Sequence, residues 1–360
     1  MVNYYELGPD KKLNEIVFAG SHDAGITGGG GNVKTQGLEI LGQALAGVRL
    51  FDLRIAAASV ATPQGQTKRV EMKAFHSGKP QHEVKTRDAG RMGTGPLVRT
   101  KLTIGGVSVG DWGLELDRML QQVRDFLRSA DGISEFLILK FDKCQNWIHI
   151  AEACTYRLRG YLYTGRGSLN TKRLRDLEGK AIVVFGPKGV TEVAGVYGPQ
   201  DGILGFKNLY EPGTAYVDNF DGLQYYGKGG TSLTKPFFKQ SQNVKKQRKL
   251  LQGAIALQNP QVMPMMYWTT TGLLESIESR NEEMWEPPNV QKMKRLWKSG
   301  ASEIVEYRNP LTLPQGSPLA GITRKRLIPN IVMMDFADPG KCQTIRDLND
   351  MSPEDWARLD

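Results

Sequence analysis

Only four histidines occur in the 360 residues of this chain, and two of them follow apolar runs that read as β-strands. His22 follows Glu15-Ile16-Val17-Phe18-Ala19-Gly20-Ser21, and His76 follows Val70-Glu71-Met72-Lys73-Ala74-Phe75. Between them Arg54 ends Val48-Arg49-Leu50-Phe51-Asp52-Leu53. Imidazole titrates nearest neutral pH, so one ring can accept a proton while the other supplies one. A guanidinium carries permanent charge in a planar fork that matches phosphate oxygens. Cleavage of a phosphodiester by a neighbouring hydroxyl needs a base on that hydroxyl, an acid on the leaving oxygen and positive charge on the phosphoryl oxygens. His22, His76 and Arg54 supply these three with no metal and no cofactor. A carboxylate beside each imidazole would fix its tautomer and stabilise its cation, and Asp335 and Asp23 are the available partners.

These side chains meet only if the chain brings distant strand ends together. Eight β-rich runs, at 15–19, 48–55, 70–75, 135–141, 180–185, 215–219, 262–268 and 330–336, alternate with helical stretches or long loops. Most are continuously apolar, as in Phe136-Leu137-Ile138-Leu139 and Ile182-Val183-Val184-Phe185, the pattern of strands covered on both faces in a parallel sheet. Helical spacing is clear in Leu116, Met119, Leu120, Val123, Phe126 and Leu127, again over 146–159, and further helices are expected over 236–257 and 289–298. Eight strands interleaved with helices predict an α/β fold, a (β/α)8 TIM barrel forming one domain over 1–360. In such a barrel functional groups belong at the carboxyl ends of the strands. His22 and Asp23 fall there on the first, Arg54 on the second, His76 on the third, Lys140 and Asp142 on the fourth, Asp218 on the sixth and Asp335 on the eighth.

The blocks Gly20-Ser21-His22-Asp23-Ala24-Gly25, Gly47-Val48-Arg49-Leu50-Phe51-Asp52-Leu53-Arg54 and Phe75-His76-Ser77 resemble the bacterial phosphatidylinositol-specific phospholipase C family and its X domain. The resemblance implies a barrel that is distorted or incompletely closed. It also implies cleavage of inositol phospholipids by the inositol 2-hydroxyl, giving diacylglycerol and a cyclic inositol phosphate. His22 would then be the base with Asp335, His76 the acid with Asp23, and Arg54 the phosphate clamp. Lys140 and, loosely, Asp218 resemble substrate-binding positions that contact inositol. Calcium-dependent relatives carry Asn where Asp23 stands and an acidic residue where Arg54 stands, so the chain resembles the metal-independent branch. Asp338 competes with Asp335 as partner of His22. The connections at 56–66 and 78–111 are longer than a compact relative needs.

Composition narrows the alternatives. Lys and Arg outnumber Asp and Glu by 47 to 38, a net charge of +9, which favours a polyanionic partner such as an acidic lipid surface. Peripheral contact with a membrane surface fits that balance, and the absence of zinc-finger, RNP-like or helix-turn-helix patterns argues against nucleic acid. Lys245, Lys246, Arg248 and Lys249 read first as a solvated helix face and second as a contact for anionic lipid. Three widely spaced cysteines give neither a disulfide framework nor a metal knuckle. No stretch has the apolar length of a transmembrane segment, and 1–10 lacks the pattern of a secretory leader. A cytoplasmic protein, one exported by a non-classical route, or a mature secreted form is expected. Two rivals stand beside the phospholipase C reading. A metal-dependent glycerophosphodiesterase or phospholipase D-like enzyme would need clustered acidic ligands, and a catalytically silent lipid-binding barrel would have no use for both histidines and the arginine.

Overall fold

The structure is a computed structural model. It describes residues 2–29, 31, 33–61, 68–76, 103–104, 107–108, 111–229, 239–270, 276–296 and 329–351. Most of the 78–111 connection, Gly30, Thr271-Gly272, Trp297 and the Arg324-Lys325-Arg326 group lie outside them.

In chain order, β1 (Phe18–Ser21) and β2 (Val48–Leu53) open a barrel. A ribbon follows, with β3 (Ile55–Ala61), β4 (Lys68–His76), the short pair β5 (Thr103–Ile104) and β6 (Val107–Ser108), and β7 (Asp111–Glu115). The barrel resumes with β8 (Phe136–Phe141), β9 (Lys180–Phe185), β10 (Ile203–Asn208), β11 (Gly222–Tyr226), β12 (Met263–Tyr267) and β13 (Ile331–Met334). Its eight strands are all parallel, and the barrel is closed by pairing of β1 with β13, from Phe18↔Ile331 to Ser21↔Met334. The expectation of an incompletely closed barrel is therefore corrected. Gly20 suits this seam: a Cβ there would lie 2.3 Å from the sulfur of Met333 and 3.3 Å from Ile331 Cγ2, so a larger residue would force those side chains to shift.

Two of the eight expected runs are not barrel strands. The run at 70–75 belongs to β4, which pairs antiparallel with β3 (Ile55↔Ala74) and with β7 (Phe75↔Trp112). Its sequence alternates Arg69-Val70-Glu71-Met72-Lys73-Ala74, unlike the continuous apolar runs of the barrel. The run at 215–219 is loop and turn. The strands standing in their place are β10 and β11, each carrying a glycine that breaks the apolar pattern, and these pair through Gly205↔Gly222.

Helices α1 (Ile40–Ala46), α2 (Leu116–Arg128), α3 (Trp147–Arg157), α4 (Leu174–Leu177), α5 (Pro187–Val193), α6 (Lys239–Ala256), α7 (Ile277–Met284), α8 over 287–296 and α9 (Pro339–Asp347) follow in chain order. On α2 the six apolar positions at helical spacing are all buried, so burial of one face, more than intrinsic propensity, holds the helix to the barrel. One connection departs from the repeat: between β10 and β11 residues 209–221 form no helix.

A buried ion pair fastens the amino-terminal segment near the starts of β2 and β8. Arg49 and Glu135 are both inaccessible, with Arg49 Nε 2.7 Å from Glu135 Oε2. The remaining guanidinium donors reach the carbonyls of Ala44, Val48 and Val2, while Glu135 Oε1 accepts from the amides of Tyr4 and Tyr5. With each polar atom partnered, desolvation of the two charges is offset.

Candidate active site

Four chain segments converge at the carboxyl ends of the barrel strands. The ladder between β1 and β13 extends one step further, the His22 amide donating to the Met334 carbonyl, and so sets His22 beside Asp335. His22 Nδ1 lies 3.0 Å from Asp335 Oδ1. Both strands then turn sharply through left-handed residues, Asp23 at φ 44° and Phe336 at φ 50°. Such backbone is rare outside glycine and persists only where neighbours fix it. Gln36 does so here: its Nε2 donates to the carbonyls of His22 and Met334, and its Oε1 accepts from the Ala337 amide.

Arg54 stands alone between β2 and β3, where the chain leaves the barrel for the ribbon. His76 reaches the same mouth by a different route from the one expected. It ends the returning strand β4, and the Phe75 amide donates to the Arg54 carbonyl, which sets the imidazole beside the arginine. Close packing of the ribbon on the 23–25 turn makes this possible. A Cβ on Gly113 would lie 2.1 Å from the Gly25 carbonyl oxygen, and one on Gly25 would lie 2.5 Å from Ala74 Cβ.

Asp23 is the centre of the group. Arg54 Nε lies 2.9 Å from its Oδ1, and its Oδ2 sits between the two imidazoles, 3.7 Å from His22 Nε2 and 3.6 Å from His76 Nε2. The Asp23 side chain is 1% exposed, whereas His22, Arg54 and His76 are 15, 21 and 21% exposed, so the carboxylate is covered and the three basic side chains face outward. Among the described residues both Asp23 oxygens and His76 Nδ1 lack an aligned hydrogen bond. Charge, more than directed bonding, holds this arrangement.

The electrostatics are asymmetric. Burial lowers the His22 pKa, but the carboxylates of Asp23 and Asp335 more than reverse this and raise it to about 9. Burial raises the Asp23 pKa, and the charges of Arg54, His22 and His76 overcome it, leaving it at about 2. His76 goes the other way: burial, with Arg54 and His22 nearby, outweighs the pull of Asp23 and lowers it. At neutral pH the site at rest therefore holds His22 as the cation and His76 neutral, the reverse of a waiting base and acid in those roles. Burial raises the Asp335 pKa against the opposing charge of His22.

Asp338 is occupied elsewhere. It caps α9, its side chain accepting from the Lys341 amide, which leaves Asp335 as the partner of His22. Lys140 is buried against the site. Its side chain is 1% exposed, with Nζ 2.8 Å from Asp52 and 3.5 Å from Asp142, above the Phe206 ring at 4.6 Å. The inward turn of alternate residues on β8 puts it inside the barrel, where it supports the site from below. Asp218 is not at the mouth. It is exposed in a turn of the 209–221 connection, which returns to the amino-terminal ends of the strands, as the Val217 bonds to the Gln224 side chain and the Tyr216 bond to Gln261 show.

His22, Asp23 and Asp52 bring ligand-type atoms within 4.8 Å of one another, a spacing that could bracket a cation. Arg54 pairs with Asp23 and Lys140 with Asp52, so fixed side-chain cations already neutralise both carboxylates. Asp52 and Tyr267 belong to the site although sequence reasoning did not single them out. The Tyr267 ring stands edge-on to His22 with centroids 5.9 Å apart. The signal is present in the sequence, since Asp52 and Tyr267 lie near the ends of the apolar runs that form β2 and β12.

The barrel is similar to that of a group of solved structures. Phosphatidylinositol-specific phospholipase C from Staphylococcus aureus, in a study of its membrane binding, superimposes with a TM-score of 0.50 at 16% identity over 95% of each chain. Bacterial phosphatidylinositol-specific phospholipases C share this fold. The enzyme from Listeria monocytogenes gives 0.47 at 14% identity over 96% of each chain, and a calcium-dependent one from Pseudomonas sp. gives 0.36 at 12% over 72% of this chain and 84% of that one. No family model and no curated protein matches the sequence.

Proposed function

We propose that this protein cleaves the phosphodiester of an inositol phospholipid, and that 1–360 acts as a single catalytic unit in doing so. The observation that carries the reading is the Asp23 carboxylate held between Arg54 at 2.9 Å and the two imidazoles at 3.7 and 3.6 Å. In the first step His22 takes the proton of the inositol 2-hydroxyl as that oxygen bonds to phosphorus. The bond from phosphorus to the glycerol oxygen breaks, and His76 gives that oxygen its proton. The products are diacylglycerol and a cyclic inositol phosphate, with Arg54 holding the phosphoryl charge throughout.

This step needs His22 neutral and His76 protonated. The same number of protons is already present, and Asp23 Oδ2 lies between the two rings, so passing one proton across that carboxylate converts the resting site to the required form. The resting form is the one left after the first step, and it suits the second, in which His76 takes a proton from water and His22 returns one as the cyclic ester opens. Asp335 steadies the His22 cation at each stage. No metal enters the scheme, because Arg54 supplies the positive charge a divalent ion would bring. Phosphorus NMR of the products from a panel of phospholipids tests the proposal. A cyclic inositol phosphate signal that persists in EDTA is expected. Activity abolished by EDTA and restored by calcium or magnesium would point instead to the metal-dependent rival.

A further inference from the structure

We propose that a groove outside the catalytic centre, between α6 and the strand ends of β10 and β11, seats the phosphate of a second anionic phospholipid and so docks the barrel on a lipid surface. It lies beside the one connection that forms no helix, so among the described residues no crossover helix stands between β10 and β11 next to α6. The groove has a volume of ≈ 750 Å³, and its lining includes Tyr210, Tyr226, Lys245, Lys246, Arg248 and Lys249 with no carboxylate. That volume suits a phospholipid headgroup.

Charge on this face is unbalanced. Lys245, Arg248 and Lys249 are exposed and stand at i, i+3 and i+4, where like charges destabilise a helix. Among the described residues no acidic side chain pairs with any of the three. Lys228 adds a fourth cation, its Nζ 4.8 Å from the Tyr210 ring centroid. Lys246 is part-buried, its Nζ bonded to the Gly229 carbonyl, and both burial and the charge of Lys228 lower its pKa. A phosphate among these groups would relieve the repulsion. The Tyr210 and Tyr226 rings, edge to face at 5.7 Å, give an apolar side to the neighbouring glycerol.

Position selects a lipid surface as the occupant. Tyr210 follows the end of β10 and Lys228 the end of β11, so the groove opens toward the end of the barrel that carries His22, His76 and Asp335. One flat surface can then meet both. The inference builds on the lipid-cleaving reading, but its test measures binding without turnover.

The test compares the whole protein with its Arg248→Gln/Lys249→Gln variant for partition onto vesicles of phosphatidylcholine with and without phosphatidylglycerol, by sedimentation at low and physiological salt. Each basic residue near an anionic surface contributes about a fivefold factor, so the pair should weaken partition onto phosphatidylglycerol vesicles about thirtyfold. Binding to pure phosphatidylcholine and turnover of a soluble, monomeric inositol phosphodiester should not change. A His22→Ala protein should bind vesicles as the unaltered protein does, which separates failure of docking from failure of the catalytic reading. Unchanged partition in the double variant would overturn the proposal. So would equal displacement by millimolar glycerol 3-phosphate, since the groove would then be a site for a soluble phosphate ester.

Discussion

Replacing Asp335 by Asn tests the electrostatic core of the mechanism. Asn keeps the shape of the side chain and an acceptor near His22 Nδ1, but removes one of the two charges that raise the His22 pKa to about 9. With burial still opposing and Asp23 alone supporting, the His22 pKa should fall to about 7 to 8, the usual effect of losing one adjacent opposite charge. In the unaltered protein kcat/KM for a soluble inositol phosphodiester should be level from the His76 pKa, which lies below 6.5, up to about 9. In the variant the alkaline limb should move down while the acid limb stays nearly fixed. With that limb near 7.5, the variant should retain about 3% of its own plateau at pH 9, where the unaltered protein keeps about half, a further loss of roughly fifteenfold. NMR titration of the imidazoles gives an independent reading, and four histidines keep the spectrum assignable. Stability should follow the same group. A histidine whose folded pKa exceeds its unfolded value stabilises fully below the unfolded value, and that contribution disappears as pH rises through the folded one. From 6.5 to about 9 this amounts to at most about 3 kcal/mol, lost between those pH values and reduced by about half in Asp335→Asn. An alkaline limb that stays at 9 in the variant, or a His22 signal titrating below 7 in the unaltered protein, would refute the reasoning.

Arg54→Lys keeps the positive charge but loses the planar fork that pairs with Asp23, so kcat/KM should fall at least tenfold with little change in melting temperature. Glu135→Gln leaves the inaccessible Arg49 guanidinium without its counter-charge and should cost about 3 to 5 kcal/mol in urea unfolding; a loss below 1 kcal/mol would mean that the pair does not anchor the amino-terminal segment. Gly113→Ala places a Cβ against the Gly25 carbonyl, forcing the ribbon off the 23–25 turn. Stability should drop by about 1 to 3 kcal/mol, and turnover should fall well beyond what that loss explains, because His76 moves with the ribbon.

Local pattern was enough to mark His22, Arg54 and Asp335 as candidates, since each ends a run whose apolar residues have the period of a strand. It was enough for the barrel as well, because continuous apolar strands alternating with helices leave few other ways to cover both sheet faces. Pattern does not say which edge a strand pairs with. The 70–75 run has the length and apolar content of a barrel strand, but it folds back on β3 and delivers His76 to the mouth from outside the wall. The 215–219 run has strand-like composition yet lies in a loop, while β10 and β11, interrupted by glycines that let their backbones approach, carry no clear strand pattern. Lys140 and Asp218 show the same limit, one turned into the barrel onto Asp52 and the other carried back to the opposite end.

The sequence by itself determined the residue types available for proton transfer and phosphate binding, and the strand ends that bear them, because hydrophobic period and turn chemistry act over a few residues. Only the tertiary structure decided that Asp23 sits among an arginine and two imidazoles, that His22 carries the proton at rest, and that fixed lysine and arginine charges stand against the nearby carboxylates. Those outcomes depend on burial and on charges brought within a few ångströms by closure of the barrel, and neither exists until distant segments have packed.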